Sequence, residues 1–224
     1  MILYRQIPIL NYKEMICMMQ VPLLVGSLLE HAEQFFPKKE VISQTHDKLH
    51  RFTYGEIGQR TRRLMSTLNE LGIKNGDRIG TLAWNHHRHL EIYFAAPGMG
   101  AVLHTINIRL SPEDIIYIIN HAEDKVLFID EDILPLIEHI HTHLTTVEAF
   151  VVMTDKAELP DSTIQPLYSY EELLSIGDPN YEFAKDIDEN QPAGMCYTSA
   201  TTGKPKGVVY SHRAIVLHSY ALGL

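Results

Sequence analysis

The stretch from residue 197 to residue 207, YTSATTGKPKG, carries a dense set of groups that could bind an anion. Four serine or threonine hydroxyls, two glycines and two lysines fall within these eleven residues, and no acidic residue interrupts them. Glycine lets the backbone approach an anion closely, successive amides can form an anion-binding nest, and lysine supplies a positive charge. These residue types at this spacing indicate a loop that binds a polyphosphate.

The stretch has two other interpretations, a Walker A loop and a flexible linker. The Walker A loop requires G-x-x-x-x-G-K-[ST], but alignment on Gly203 and Lys204 places Thr198 at the first glycine and Pro205 at the final hydroxyl position. Composition alone also permits a solvated Ser/Thr/Gly linker. Because Pro205 stiffens the stretch and apolar segments bracket it closely, we favour a loop between two strands.

The elements that must position this loop follow an alternating pattern of helix and strand. Capping boxes at 27–30 and 53–56 predict helix starts, Gly72 predicts a helix end, and Ser111 followed by Pro112 predicts another start. Strands are predicted at 41–43, 49–52, 78–83, 101–106, 125–129, 147–153, 193–199 and 208–210. Further helices are predicted at 87–96, 133–141, 170–175 and 212–222. Such repeated units imply an α/β fold with a parallel sheet and flanking helices, and ligands bind at the carboxyl ends of its strands.

The loop sequence resembles the phosphate-binding signature Y-T-S-G-T-T-G-x-P-K-G-V of the AMP-forming acyl-CoA synthetase superfamily. Residues 208–214 (VVYSHRA) continue that likeness. Segments 81–91, 98–105, 109–112 and 120–125 resemble the fatty acyl-CoA synthetase branch. The resemblance implies that residues 19–224 are an incomplete N-terminal domain of an acyl-adenylate-forming enzyme, that residues 1–18 are an extension, and that the C-terminal domain is absent.

The resemblance also implies a reaction, in which a medium- or long-chain fatty acid attacks the α-phosphate of ATP and coenzyme A then displaces AMP. By position, Lys206 would pair with a phosphate oxygen, and the Thr198 hydroxyl would lie near Mg²⁺. The β- and γ-phosphates would be held by Thr198, Ser199, Ala200, Thr201, Thr202 and Gly203. Family members carry a catalytic lysine in their C-terminal part, so no catalytic residue is expected in this chain, and the fragment is expected to be inactive alone.

Ala200 departs from the family pattern, which has glycine at that position. A Cβ there is costly if the backbone needs a positive φ or close contact with phosphate. Two alternatives to a fatty acid–CoA ligase stay open. One is another acyl- or aryl-acid CoA ligase or an adenylation domain, and the other is a noncatalytic fragment that acts only in folding or in homodimer formation.

The composition limits the kinds of binding partner and the cellular compartment that we expect. The net charge of −9 over 224 residues disfavours nonspecific nucleic-acid binding. Two cysteines, Cys17 and Cys196, form no disulfide framework and fit a reducing, cytoplasmic compartment. Residues 1–18 are apolar but interrupted by charges, which favours an extension over a signal peptide. An alternative is an amphipathic segment that makes peripheral membrane contact.

Several histidines and one cysteine are further candidates for metal, substrate or nucleotide binding. The set Glu138, His139, His141 and His143 suggests metal binding, but the spacing favours a solvated helix end. Residues 85–89 (NHHRH) predict an exposed helix N-terminus, with substrate contact as the alternative. His212 could approach a nucleotide or lie on the surface, and Cys196 is expected to be a small core residue.

Overall fold

The computed structural model describes residues 21–45, 48–156, 158–198 and 203–223. The described strands are β1 (Glu40–Gln44), β2 (Leu49–Thr53), β3 (Arg78–Leu82), β4 (Val102–Thr105), β5 (Asp124–Asp130), β6 (Ala149–Met153), β7 (Leu167–Ser169), β8 (Pro192–Thr198) and β9 (Lys206–Ser211). The described α-helices are α1 (Val25–Phe35), α2 (Tyr54–Glu70), α3 (His87–Gly98), α4 (Pro112–Ala122), α5 (Leu134–Ile140), α6 (Tyr170–Ile176) and α7 (His212–Gly223). Single 3-10 turns lie at Glu131–Ile133 and His141–His143.

Seven of these strands form one sheet in the order β7-β6-β5-β3-β4-β8-β9. Its strands run parallel except for β9, which pairs antiparallel with β8. Strands β1 and β2 form a separate antiparallel hairpin. The predicted α/β fold with a parallel sheet is therefore confirmed, and the edge at β9 is its one antiparallel pairing within the described residues.

Helices cover both faces of the sheet, as the alternation of side chains along β5 shows. Val126 and Phe128 join a core with residues from α1, α2, α3 and α6, whereas Leu127 and Ile129 join a second core with α4 and α5. Successive residues of a strand point to opposite faces, so the two cores lie on opposite sides of the sheet. Among the described residues, no helix is both long and apolar enough to cross a membrane.

Two of the three predicted N-terminal helix caps were confirmed. The Thr53 hydroxyl accepts a hydrogen bond from the Glu56 amide at 3.2 Å, and the Glu56 carboxylate accepts one from the Thr53 amide at 2.7 Å. Ser111 likewise caps α4. The capping box predicted at Ser27 is wrong because α1 begins earlier, at Val25, and the Ser27 hydroxyl donates to the Leu24 carbonyl at 2.6 Å. Strand β7 was missed because three residues give no readable alternation.

Candidate functional site

The predicted loop connects β8 and β9, which form a hairpin at one edge of the sheet. Tyr197 pairs with Gly207, and Thr198 pairs with Lys206. The Thr198 hydroxyl donates to the carbonyl oxygen of Lys206 at 3.5 Å, and both residues are exposed. The predicted connection between two strands is confirmed, and it places Thr198 and Lys206 opposite each other where the loop begins and ends.

Three of the seven predicted phosphate ligands fall within the described residues: Thr198, Gly203 and Lys206. Ser199, Ala200, Thr201 and Thr202 lie outside them. Gly203 has φ +119°, a backbone conformation that residues with a Cβ rarely adopt. This backbone conformation explains why the signature has a glycine at this position.

The position of the hairpin in the sheet fits a ligand site. Strand β8 runs parallel to β4, with Leu103 opposite Gly194 and Thr105 opposite Cys196. The loop therefore leaves β8 at the edge where the other parallel strands also end. Open α/β sheets bind ligands in the crevice outside these carboxyl ends.

Helix α4 contacts both ends of the loop. The Tyr197 hydroxyl lies 2.6 Å from Nδ1 of His121, and the ammonium group of Lys204 lies 4.7 Å from the centre of the Tyr117 ring. Burial and the nearby Asp124 raise the pKa of Tyr197 to about 12, so its hydroxyl keeps its proton at neutral pH while it hydrogen-bonds with His121. Sequence reasoning missed Tyr117 and His121, although their spacing of four residues on a helix is a readable sign of a shared face.

A buried histidine–carboxylate pair lies beneath Tyr197. His104 Nδ1 is 2.7 Å from Asp124 Oδ2, and both side chains are fully buried. Burial raises the pKa of the Asp124 carboxyl. Gly80 leaves room for the pair, because an added Cβ would lie 3.0 Å from Asp124 Oδ2 and 2.7 Å from Leu127 Cδ1. The His104 ring is 5.2 Å from the ring of Tyr197. The buried pair therefore packs against β8.

The expectation of exposed polar groups at 85–89 is wrong for four of its five residues. His86 Nε2 is 2.8 Å from Asp130 Oδ1, and its Nδ1 accepts a hydrogen bond from the His89 amide, which caps α3. His87, Arg88 and His89 are also buried. Asn85 is the exposed member. Their partners come from distant parts of the chain, so the local pattern did not reveal them.

A cavity of about 590 Å³ opens beside this group at the carboxyl ends of β3, β5 and β6. The indole ring of Trp84 is half exposed there. The carboxylates that line the cavity already have partners in the protein: Asp130 accepts from the Trp84 amide at 2.6 Å, Asp155 from Arg88 at 2.6 Å, and Glu131 from Thr154. Asp132 accepts from the Trp84 indole nitrogen at 2.9 Å, so each carboxylate that lines this cavity has a partner within the described residues.

Both interpretations of His212 are corrected. Its side chain is fully buried, and Nδ1 accepts a hydrogen bond of 3.2 Å from the Val25 amide at the start of α1. Burial lowers the pKa of this imidazole. No atom of His212 is exposed for a nucleotide or on the surface, and the residue instead joins α7 to α1.

The remaining candidates are the histidine group near Glu138 and the cysteine at position 196. His141 Nδ1 donates to the Glu138 carbonyl at 2.8 Å, and no group of three potential metal-ligating side chains occurs in the described parts of the chain. Cys196 is half buried, so its interpretation as a core residue is wrong. The reason is that β8 lies next to the edge strand β9, whose residues are mostly exposed.

Comparison with known proteins defines the class. The profile of the family described as "AMP-binding enzyme" matches residues 29–223, and the chain belongs to this family. The chain is 53% identical over 209 residues to the long-chain-fatty-acid–CoA ligase of Thermus thermophilus, which covers 92% of this chain and 37% of the relative. It is 50% identical over 205 residues to the 3-methylmercaptopropionyl-CoA ligase of Ruegeria lacuscaerulensis, covering 91% of this chain and 38% of the relative.

A solved structure confirms the fold. The anthranilate CoA ligase AuaEII in complex with anthranoyl-AMP superposes with a TM-score of 0.77 at 24% identity, over 87% of this chain and 36% of that chain. The chain thus spans somewhat more than a third of the length of the proteins that it matches.

Proposed function

We propose that this chain supplies the ATP phosphate-binding part of an AMP-forming fatty acid–CoA ligase. One observation carries the proposal: the family's signature sequence forms the β8–β9 connection at the carboxyl edge of the sheet, with Thr198 and Lys206 facing each other at its base. Hydroxyl, amide and ammonium donors grouped there match the β- and γ-phosphates of ATP.

The proposed reaction has two steps that share this site. The acid carboxylate attacks the α-phosphate of ATP, forming acyl-adenylate and releasing pyrophosphate, and the thiol of coenzyme A then forms the thioester and releases AMP. The role of the loop is to hold and neutralise the pyrophosphate portion while the bond breaks. Lys206 would provide the charge, and Thr198, Ser199, Ala200, Thr201, Thr202 and Gly203 would provide hydroxyl and amide donors.

Mg²⁺ fits the donor set at Thr198. The ion prefers oxygen ligands and keeps several waters, and the exposed Thr198 hydroxyl is an oxygen donor beside the proposed phosphates. When bound, Mg²⁺ would neutralise charge on the phosphate oxygens. Thr198 would be the residue of this chain that contacts the ion.

We assign a medium- or long-chain fatty acid as the substrate, on the support of the Thermus relative. The second candidate is another acyl or aryl acid, which the Ruegeria ligase for 3-methylmercaptopropionate and the anthranilate ligase favour. We further propose that residues 19–224 belong to the N-terminal domain, with residues 1–18 as an extension. The two cysteines support a cytoplasmic location.

Calorimetric titration of the chain with ATP and Mg²⁺ tests the proposal. We expect binding that Lys206→Ala weakens by about tenfold or more, because a charged hydrogen bond to phosphate contributes about 1.5–3 kcal/mol. Lys185→Ala is the matched control, since Lys185 is exposed and distant in sequence from the loop. ATP affinity that is the same in the Lys206 variant and the wild type would exclude the assigned role.

A second assay separates binding from chemistry. We expect pyrophosphate release from ATP and a fatty acid to be separable from ATP binding in this chain, because it spans 37% of the length of the Thermus ligase that it matches. ATP binding without release supports the proposed function of this part. The absence of ATP binding by a folded chain would favour the noncatalytic alternative.

A further inference from the structure

We propose that helix α4 is the support that positions the phosphate loop, with Tyr117 and His121 as its positioning residues. The proposal rests on the proposed function of the loop and extends it to residues outside the family signature. Neither residue touches the assigned phosphate ligands Thr198 or Lys206 in the described contacts. Each acts through a neighbour, His121 through Tyr197 and Tyr117 through Lys204.

The two contacts lie at opposite ends of the loop. His121 Nδ1 is 2.6 Å from the hydroxyl of Tyr197, the residue that precedes Thr198, and the two rings meet edge to face at 5.8 Å. Tyr117 lies under the ammonium group of Lys204 at 4.7 Å. The strand pairing between β8 and β9 ends at Thr198 and Lys206, so Lys204 lies beyond it. The Tyr117 contact therefore fixes a part of the loop that the hairpin does not.

Helix α4 is itself held rigidly. Its inner face buries Ile115, Ile118 and Ile119 in the core between α4, α5 and the sheet. Asn120 ties its last turn to the connection before β6, because its side chain donates to the His143 carbonyl at 2.8 Å and accepts from the Thr145 amide at 2.8 Å. Tyr117 and His121 are one helical turn apart, with their rings 5.3 Å from each other. They therefore form one fixed surface that contacts the loop twice.

This geometry gives the two lysines of the loop different roles. Lys204 occupies the variable position of the signature G-x-P-K-G, and here its charge is placed over an aromatic ring. Lys206 has no cation–π partner among the described residues and is free to meet phosphate. Lys204 is thus an anchor of the loop and Lys206 its phosphate ligand.

The test compares Tyr117→Leu with the matched variant Tyr117→Phe in the full chain. The first readout needs no ligand: the ε-methylene resonance of Lys204, in protein labelled with ¹³C-lysine and assigned by Lys204→Arg, should be shifted upfield by the Tyr117 ring. We expect Tyr117→Leu to abolish this shift and Tyr117→Phe to keep it. The second readout is ATP affinity, which Tyr117→Leu should weaken about two- to fivefold and Tyr117→Phe should leave unchanged.

The outcomes separate this proposal from the function on which it rests. An unshifted Lys204 resonance in the wild type, or a shift that survives Tyr117→Leu, overturns the support role whether or not ATP binds. A lost shift with unchanged ATP affinity overturns the positioning role. If the wild type binds no ATP, the proposed function fails, and the Lys204 resonance still decides whether α4 holds the loop.

Discussion

At the scale of single residues, Gly203 shows that the loop requires a residue that tolerates a positive φ. Its φ of +119° is costly for any residue with a Cβ, yet no heavy atom of the described residues, its chain neighbours aside, lies within 4 Å of an added Cβ. Against the described residues, a substitution there would therefore act through backbone strain. Within the described part of the chain, Gly203 is therefore required for the backbone conformation of the loop and not for side-chain packing.

Gly203→Ala should lower the unfolding free energy by about 1 kcal/mol and weaken ATP binding, because the loop must leave its native conformation or carry the strain. Gly223→Ala is the control, since that glycine ends α7, also has no neighbour within 4 Å, and lacks a positive φ. Denaturant titration and calorimetry measure the two effects. Equal stability and affinity for both variants would contradict the requirement.

Buried histidines make the stability depend on pH in a defined window. Burial and the neighbouring His86 lower the pKa of His89 to about 4. His89 Nδ1 donates to the Trp84 carbonyl, and Nε2 lies 3.1 Å from the Thr81 hydroxyl. The unfolded chain binds a proton at this residue below about pH 6.5, whereas the folded chain does not until about pH 4. The unfolding free energy must therefore fall as the pH drops through this range.

We expect His89 to account for about 2 kcal/mol of the stability lost between pH 7.5 and pH 5. Urea titrations at both pH values should show that His89→Asn reduces the difference by that amount. His139→Asn, at an exposed position, should leave the difference unchanged. A wild type that is equally stable at both pH values would disprove the prediction.

The residues that sequence reasoning placed correctly are those whose signals are local. Thr53 with Glu56, and Ser111 with Pro112, show helix starts within four positions, and both caps formed. His86, Arg88 and His212 were misread because Asp130, Asp155 and Val25 reach them from other elements. Spacing along the chain carries no information about such partners.

At the scale of elements, an ionic network joins three helices on one face of the sheet. Arg60 of α2 donates to Glu91 of α3 at 2.6 Å and to Glu171 of α6 at 3.0 Å. Glu91 is fully buried and also accepts a hydrogen bond from Tyr170 at 2.6 Å. Burial raises the pKa of Glu91, and Arg60 opposes that shift by stabilising the carboxylate. The Arg60 guanidinium therefore links α2 to both α3 and α6, and Arg88 of α3 adds a second link to Glu171 at 2.8 Å.

Arg60→Met should lower the unfolding free energy by about 3–5 kcal/mol, because it leaves the Glu91 charge buried without its partner. Arg51→Met is the matched control, since Arg51 pairs with Glu40 in an exposed position and such pairs contribute about 0–1 kcal/mol. Chemical denaturation measures both changes. Losses of similar size in the two variants would contradict the importance of the network.

At the scale of the whole molecule, β9 and α7 expose several large apolar side chains at one edge of the described sheet. Val209, Tyr210, Leu217 and Tyr220 are each more than 40% exposed. An edge strand also presents unpaired backbone groups along its outer side. Contiguous surface of this kind promotes association between molecules.

We expect the chain to associate reversibly at micromolar concentrations and Val209→Lys to weaken that association by charging the edge strand. Ile176→Lys, at an exposed apolar residue outside this edge, is the control and should change little. Sedimentation velocity at several concentrations measures the effect. A wild type that stays monomeric throughout would show that this edge does not promote association.

The general architecture was predictable because helix and strand alternate along the chain, and such alternation implies a parallel sheet with helices on its faces. The order of the strands was not predictable from the alternation of elements. Strand β5 pairs with β3 and not with β4, the strand that precedes it in the chain. The antiparallel direction of β9 was missed, although the connection between β8 and β9 is shorter than the crossover of about a dozen residues that parallel neighbours need. The proposed site was predicted from its signature, whereas the contacts of α4 with Tyr197 and Lys204 depend on tertiary structure.

If the β8–β9 loop holds the β- and γ-phosphates of ATP, ³¹P NMR of ATP titrated with the chain will report it at the phosphates themselves. We expect the β and γ resonances to shift or broaden on addition of the wild type, and we expect Lys206→Ala to remove most of the effect while Lys185→Ala does not. Phosphate resonances that stay unperturbed by the folded wild type, or respond equally to Lys206→Ala, would contradict it.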